Sequence, residues 1–195
     1  MKNLILVLGS AFDPPHNGHM TMASEVVRCG IAQKVIFVPC GNHAFLKEMG
    51  ESRYRYDMTK IVVDKLVVQN GPYFELSDTE ILRSGQSYAW DTMEELAKKY
   101  SDGQIGWLMG SDQLPNFNKW YKYRDILAKY PIYVYPRKGY TFELMYPGMI
   151  RVEGVPVVEV SSSGVRRAMA EKGDIAGMVL PDVAKYIQEN SLWIK

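Results

Sequence analysis

His16 and His19, three positions apart, are the side chains of this sequence best spaced to do chemistry together. They lie in the stretch Gly9-Ser10-Ala11-Phe12-Asp13-Pro14-Pro15-His16-Asn17-Gly18-His19-Met20. A helical turn starting at His16 brings both imidazoles near one point. There each can donate a hydrogen bond to an oxygen that gains negative charge. Gly18 lets the backbone approach closely, and Pro14-Pro15 stiffens the loop. A His-x-x-His pair can also bind a metal, but the Cys and Glu partners that zinc would want are missing nearby. No Gly-Lys-Ser/Thr follows, so this is not a P-loop, and it is not a Gly-x-Gly-x-x-Gly dinucleotide loop either. What remains is phosphate handling at a helix N-terminus, where free N–H groups and a partial positive charge favour anions.

The elements that must hold this loop are legible on both sides of it. Leu4 to Leu8 is a continuous apolar run ending in Gly9-Ser10, the pattern of a central parallel strand covered on both faces. A helix follows over 18–28, with Met20, Ala23, Val26 and Val27 toward the core, and Cys29-Gly30 ends it. A strand over 34–39 completes a right-handed βαβ unit. After a long loop over 40–50, the helix at 52–69 shows Tyr54, Met58, Ile61, Val62, Lys65 and Leu66 at helical spacing. Asn70-Gly71-Pro72 stops it.

Further along, the pattern gives a short strand at 73–76 and a helix at 88–100 with Met93, Leu96, Ala97 and Tyr100 on one side. A strand at 105–109 and one or two short helices within 116–129 come next, then strands at 131–135 and 155–160. Helices at 162–172 and 182–189 close the chain. The Gly-, Pro- and Tyr-rich segment 137–153 reads as loop, and its pattern assigns it no role. Strands alternating with helices specify an α/β fold with a doubly wound, mostly parallel sheet. Residues 1–195 form one domain in this reading, with 161–195 as its helical C-terminal segment.

Bulk properties exclude several classes. A net charge of +1 without single-sign blocks gives no support for a nucleic-acid or anionic-membrane partner. Cys29 and Cys40 do not make a disulfide framework. The apolar start is too short for a signal peptide, and no run approaches a membrane span. The expectation is a soluble cytoplasmic protein acting on small molecules, with a homo-oligomer left open.

The stretch Gly-Ser-x-Phe-Asp-Pro-Pro-His-x-Gly-His resembles the first signature of the nucleotidyltransferase superfamily, the His-x-Gly-His enzymes. That family's second signature, a Ser-Ser/Thr-x-x-Arg turn opening a late helix, is matched by Ser161-Ser162-Ser163-Gly164-Val165-Arg166. Ser163 stands where the family usually has Thr, and it keeps the hydroxyl. Ser161 or Ser162 is a natural N-cap, and Arg166 can hold phosphate oxygens in a fork. An ordinary capped helix with a surface Arg is the bland reading of this stretch alone; paired with the first signature it loses.

Ser87-Tyr88-Ala89-Trp90-Asp91-Thr92-Met93, Gly110-Ser111-Asp112-Gln113, the stretch from Phe117 to Trp120, and Val179-Leu180-Pro181-Asp182-Val183-Ala184-Lys185-Tyr186-Ile187 resemble nicotinate-mononucleotide adenylyltransferases. The resemblance runs from about Leu4 to Trp193 and implies a Rossmann-like nucleotidyltransferase fold.

The resemblance implies transfer of the adenylyl group of ATP to nicotinate mononucleotide, giving the deamido-NAD dinucleotide and pyrophosphate. His16 and His19 would be catalytic. Gly9, Ser10, Phe12, Gly18, Asp112, Ser162, Ser163 and Arg166 would hold ATP and its phosphates. Lys47, Arg55, Ala89 and Trp120 would hold the mononucleotide, with the Trp120 indole stacked on the pyridine. Mg2+ would be carried by the phosphates, with no metal ligand expected from the protein.

Two departures bear on the acceptor. Ala89 replaces a usual Thr, and Gly41-Asn42-His43-Ala44-Phe45-Leu46-Lys47 replaces a Pro-Pro-His-Lys loop. A helix-surface Arg is the bland alternative for Arg55, and core packing for Trp120. The rival functions are nicotinamide mononucleotide as acceptor, adenylyl or cytidylyl transfer to another phosphate such as phosphopantetheine, and a nucleotide-binding regulator without catalysis.

Overall fold

The computed structural model describes residues 3–43, 49–143 and 145–193. In chain order the elements are β1 (Asn3–Ser10), α1 (Asn17–Arg28), β2 (Lys34–Pro39), β3 (Asn42–His43), α2 (Ser52–Asn70), β4 (Phe74–Leu76), α3 (Thr79–Leu82), β5 (Gln86–Ser87) and α4 (Ala89–Lys99). Then come β6 (Gly103–Gly110), a 3-10 helix (Ser111–Lys119), α5 (Tyr123–Lys129), β7 (Ile132–Tyr135), β8 (Met149–Arg151), α6 (Ser162–Ala170) and α7 (Pro181–Glu189). Among the described residues no helix is long and apolar enough to cross a membrane.

Strand β1 is buried on both faces, which is why its sequence is an unbroken apolar run. Leu6 and Leu8 point into one core, with Met22, Ala23 and Val26 of α1, Met58, Val62 and Leu66 of α2, Val165 of α6, and Val183 and Ile187 of α7. Ile5 and Val7 point into the other, with Met93 and Leu96 of α4, Phe117 of the 3-10 helix and Ile126 of α5. Burial of this kind contributes roughly 25 cal/mol for each Å2 of apolar surface removed from water.

The sheet has the order β4-β2-β1-β6-β7-β8, and every strand pair in it is parallel. The chain winds outward from β1 in one direction, then crosses to β6 and winds outward in the other. The topological switch point therefore lies between β1 and β6, where open α/β sheets bind ligands.

Several elements differ from the sequence reading. In α1 the fully buried methionine is Met22, while Met20 and Val27 pack at the margin of the core. No strand forms over 155–160; only Val158 bridges to Arg137. Its N–H donates to the Pro136 carbonyl at 3.2 Å and its carbonyl accepts from Lys138 at 3.0 Å. Pro136 has no N–H to continue the β7 ladder, and the edge position beside β7 is filled by Met149–Arg151 as β8. That strand lies in the segment read as loop. It is three residues long, follows Gly148 and carries no alternation. The pair β3–β5 and helix α3 are likewise too short to leave a periodic signal.

Candidate active site

The carboxyl ends of β1, β2 and β6 open into a cleft of about 580 Å3 at the switch point. Gly9, Ser10 and Ala11 form one wall, Cys40 and Glu80 another, and Trp107 and Asp112 a third. Ser87, Tyr88, Ala89, Trp120 and Tyr121 line the cleft as well. Gly9 is required by packing: a Cβ there would stand 2.4 Å from the Trp107 ring. Trp120 is held against Phe117 and Trp107, with ring centroids 5.1 and 5.8 Å away, and its remaining surface lines the cleft. It thus combines core packing with a place in the site.

The two histidines open α1 as expected, with His16 as N-cap. Their rings stack at 3.8 Å, tilted by 24°. The His16 backbone N–H donates to His19 Nδ1 at 3.2 Å. That bond assigns the His19 proton to Nε2, where it can be donated onward. His16 Nδ1 has no hydrogen-bond partner among the described residues. Burial, with the Arg137 charge, lowers the His16 pKa to about 3. Burial, with His16 and Arg137, holds His19 well below its ordinary 6.5. Both imidazoles are therefore neutral at pH 7 in the free protein. Neither lines the cleft, and both are buried.

The second signature docks on the first. Ser161 is the N-cap of α6 and accepts from the Gly164 N–H at 3.1 Å. That leaves the Ser162 hydroxyl to donate to the Pro14 carbonyl at 2.9 Å. Arg166 donates to the Asp13 carbonyl, and its guanidinium stands 3.8 Å from the Asp13 carboxylate. Ser163 remains near solvent, 3.2 Å from Ser161 Oγ. Asn17 closes the other side, its N–H on the Met178 carbonyl at 2.9 Å and its side chain on the Gly177 carbonyl at 2.8 Å. Gly18 lets α1 press against Val158, since a Cβ there would be 2.4 Å from Val158 Cγ1 and 2.9 Å from His16 Nδ1. Its close approach is thus to the protein itself.

Two expected ligand residues, Phe12 and Arg55, are buried away from the cleft lining. The Phe12 side chain is fully buried, packed on Phe37 and, edge-on at 4.7 Å, on His19. Its side chain supports the His19 ring. Arg55 is 1% exposed and does not line the cleft. Its guanidinium donates to the carbonyls of Ala11, Cys40 and Gly50, each at 2.8 Å. It therefore staples three loops together and is not a surface residue. Lys47 lies outside the described residues.

Sequence reasoning missed two residues. Arg137 follows β7, stands 3.4 Å from Asp112 of the cleft and acts electrostatically on both histidines, so it links the two halves of the site. Its N–H donates to Ser111 Oγ at 3.0 Å, which fixes the turn. Its position just past the carboxyl end of a parallel strand was the available signal. Glu80, 4% exposed, lines the cleft and accepts from Thr92 Oγ1 at 2.6 Å; burial raises its pKa. Nothing in its sequence context marks it, because α3 has four residues.

The switch-point cleft, the histidine pair at a helix N-terminus and the docked Ser-Ser-Ser-x-x-Arg helix together describe a nucleotide-phosphate enzyme of the α/β class. The profile of the cytidylyltransferase-like family matches residues 7–168, and the chain belongs to that family. It is 32% identical to the probable nicotinate-nucleotide adenylyltransferase of Caldicellulosiruptor bescii, covering 97% of this chain and 98% of that one. It is also 32% identical to the nicotinate-nucleotide adenylyltransferase of Bacillus subtilis, over 96% of each. The structure of Plasmodium falciparum nicotinic acid mononucleotide adenylyltransferase complexed with NaAD has the same fold, with a TM-score of 0.84, 16% identity and coverage of 98% of this chain and 97% of that one.

Proposed function

We propose that this chain transfers the adenylyl group of ATP to nicotinate mononucleotide, releasing pyrophosphate and the deamido-NAD dinucleotide. The observation that carries the reading is the docking of the α6 N-terminus on the histidine loop across about 150 residues of sequence, beside a cleft that holds Trp120 and Ala89. Similarity to adenylyltransferases named for nicotinate nucleotide, over nearly the whole chain, supports the same acceptor.

In this reading an oxygen of the mononucleotide phosphate attacks the α-phosphorus of ATP in line. The new O–P bond forms as the bond to the bridging oxygen of the β-phosphate breaks, and the electron pair leaves with pyrophosphate. No protein nucleophile is needed; the protein positions the partners and stabilises charge. The cleft between Ser10 and Trp120 takes the mononucleotide. The loop running from Ser10 to the histidines takes the phosphates. His19 Nε2–H donates to oxygens gaining charge, and His16, stacked on it, fixes the ring. Arg137 and Arg166 flank this path with fixed positive charge.

Mg2+ would enter carried on the phosphates of ATP. When bound it offsets charge on those oxygens. We further place the chain in the cytoplasm, acting on small molecules, with self-association to be read by light scattering.

The test is pyrophosphate release from ATP with nicotinate mononucleotide, nicotinamide mononucleotide and phosphopantetheine as acceptors. The first should have the highest kcat/KM. Higher kcat/KM for the amide would move the assignment to nicotinamide mononucleotide, and turnover of phosphopantetheine alone would reject a pyridine acceptor.

A further inference from the structure

The proposed chemistry leaves a buried carboxyl group without a task. Glu80 is 4% exposed, sits on the four-residue helix α3 and lines the cleft. Burying a carboxyl group is costly unless donors meet it, and an apolar side chain would fill the same space without that cost. Burial raises its pKa, while the Thr92 hydrogen bond and the Arg83 charge favour the charged form. Its backbone is fixed as well. A Cβ on Gly41 would stand 2.0 Å from the Glu80 carbonyl oxygen, so α3 and the turn after β2 meet backbone to backbone.

The partners of this group converge on one element. The fully buried Thr92 hydroxyl donates to Glu80 Oε1 at 2.6 Å. Thr92 closes the first turn of α4, where its N–H donates to the Tyr88 carbonyl at 3.2 Å. The Thr92 hydroxyl oxygen accepts from Arg83 Nη1 at 3.1 Å, and Arg83 Nη2 reaches Glu95 Oε2, three residues further along α4, at 2.6 Å. Tyr88, the N-cap, makes no side-chain cap hydrogen bond. The hold on the first turn comes instead from Glu80 and Arg83, at its side.

What this hold places is a wall of the cleft. Ser87, Tyr88 and Ala89 line it, and Ala89 begins α4. The first N–H groups of a helix have no partner within it and can meet an acidic group of a ligand. We propose that Glu80 is a positioning residue for the acceptor: through Thr92 it fixes the first turn of α4, and with it the Ala89 backbone offered to the ring substituent. The proposal rests on the acceptor reading above and deepens it. Loosening the turn weakens hydrogen bonds to the substituent, which are the bonds that separate acid from amide. The phosphate loop is held by other contacts, those of Ser162 and Arg166.

Steady-state pyrophosphate release tests this with Thr92→Val, which removes the hydroxyl and keeps the branched shape, and with Glu80→Ala. Each should raise the KM for nicotinate mononucleotide roughly 10-fold, the effect of one lost hydrogen bond, and leave the KM for ATP within about twofold. The ratio of kcat/KM for acid over amide should fall toward one in both. A loss of folded protein alone lowers kcat and leaves that ratio and both KM values where they were. Thr92→Ser returns the hydroxyl and should return the KM. The double variant should be no worse than Glu80→Ala, since both act through one bond. An unchanged acceptor KM in Thr92→Val, an equal rise in the ATP KM, or an unmoved acid-to-amide ratio overturns the proposal. If Glu80→Ala does not fold, Thr92→Val and Thr92→Ser decide it. Failure of the acceptor reading is visible separately, as no release with either pyridine mononucleotide in the unsubstituted protein, and it overturns this proposal too.

Discussion

In the proposed reaction His19 is the donor to developing charge, and its surroundings set how it would act. A neutral imidazole with Nδ1 accepting a backbone N–H has one proton to donate, on Nε2. His19→Ala should lower kcat by about a hundredfold or more, as loss of a donor to developing charge does elsewhere. ATP binding, measured by calorimetry, should persist. Near-normal turnover in a folded variant would remove the assignment. His16 adds a pH prediction with a definite sign. Its folded pKa of about 3 is below the ordinary 6.5 of an unfolded chain, so between these values the unfolded state binds more protons. Stability therefore falls as pH drops through that window, with a slope of up to about 1.4 kcal/mol per pH unit from this group. His16→Gln cannot titrate, and urea unfolding between pH 6.5 and 4 should show a flatter dependence than the parent protein.

Between elements, the decisive contacts are close approaches and staples. Helix α1 meets Val158 through Gly18, where no side chain fits. Gly18→Ala should cost about 1–3 kcal/mol, the usual range for overpacking. Val158→Ala in the same chain should recover part of that loss, and a double-mutant cycle by denaturant unfolding reads the coupling. Strictly additive losses would show that the contact is not the cause. Arg55 tests a different kind of link. Its three carbonyl partners belong to the histidine loop, the turn after β2 and Gly50, two residues before α2. Leaving them unpaired in Arg55→Met should cost about 3 kcal/mol or more, and Arg55→Lys should restore only a part, because an ammonium cannot serve a fork of acceptors. A changed mononucleotide KM with full stability would instead make Arg55 a ligand contact.

Across the whole molecule, the site exists because distant segments meet. Arg166 reaches the Asp13 carbonyl, 153 positions away in sequence. Arg166→Lys should raise the KM for ATP more than the KM for the mononucleotide, since the forked contact is lost at the donor end. Unchanged ATP KM and kcat would leave Arg166 as a packing residue only. Discrimination between acceptors belongs to the same scale. The Trp120 face accepts acid or amide, so preference must come from hydrogen bonds to the ring substituent, and Ala89 offers only its backbone there. Nicotinate mononucleotide should be the better substrate, and Trp120→Ala should raise its KM. A KM untouched by that substitution would contradict the stacking role.

The sequence by itself determined the βαβ opening, the order of the longer helices and strands, and the two signature stretches. Those features are local: an apolar run bounded by Gly9-Ser10, helical spacing in α2, and His-x-x-His beside a Gly-Pro loop. Tertiary structure decided what local pattern cannot encode. Ser161 rather than Ser162 became the N-cap because Ser162 is drawn to the Pro14 carbonyl. Phe12 turned to the core under His19, and Arg55 was buried on three carbonyls that lie 5 to 44 positions away. Val155 to Val160 looked like a strand from its valines, yet Pro136 ended the ladder it would have joined and Met149–Arg151 took the edge. Arg137 entered the site only because β7 delivers it beside Asp112. In each case the deciding partner is remote in sequence, and hydrogen-bond satisfaction or steric fit with that partner outweighs the propensity of the residue itself.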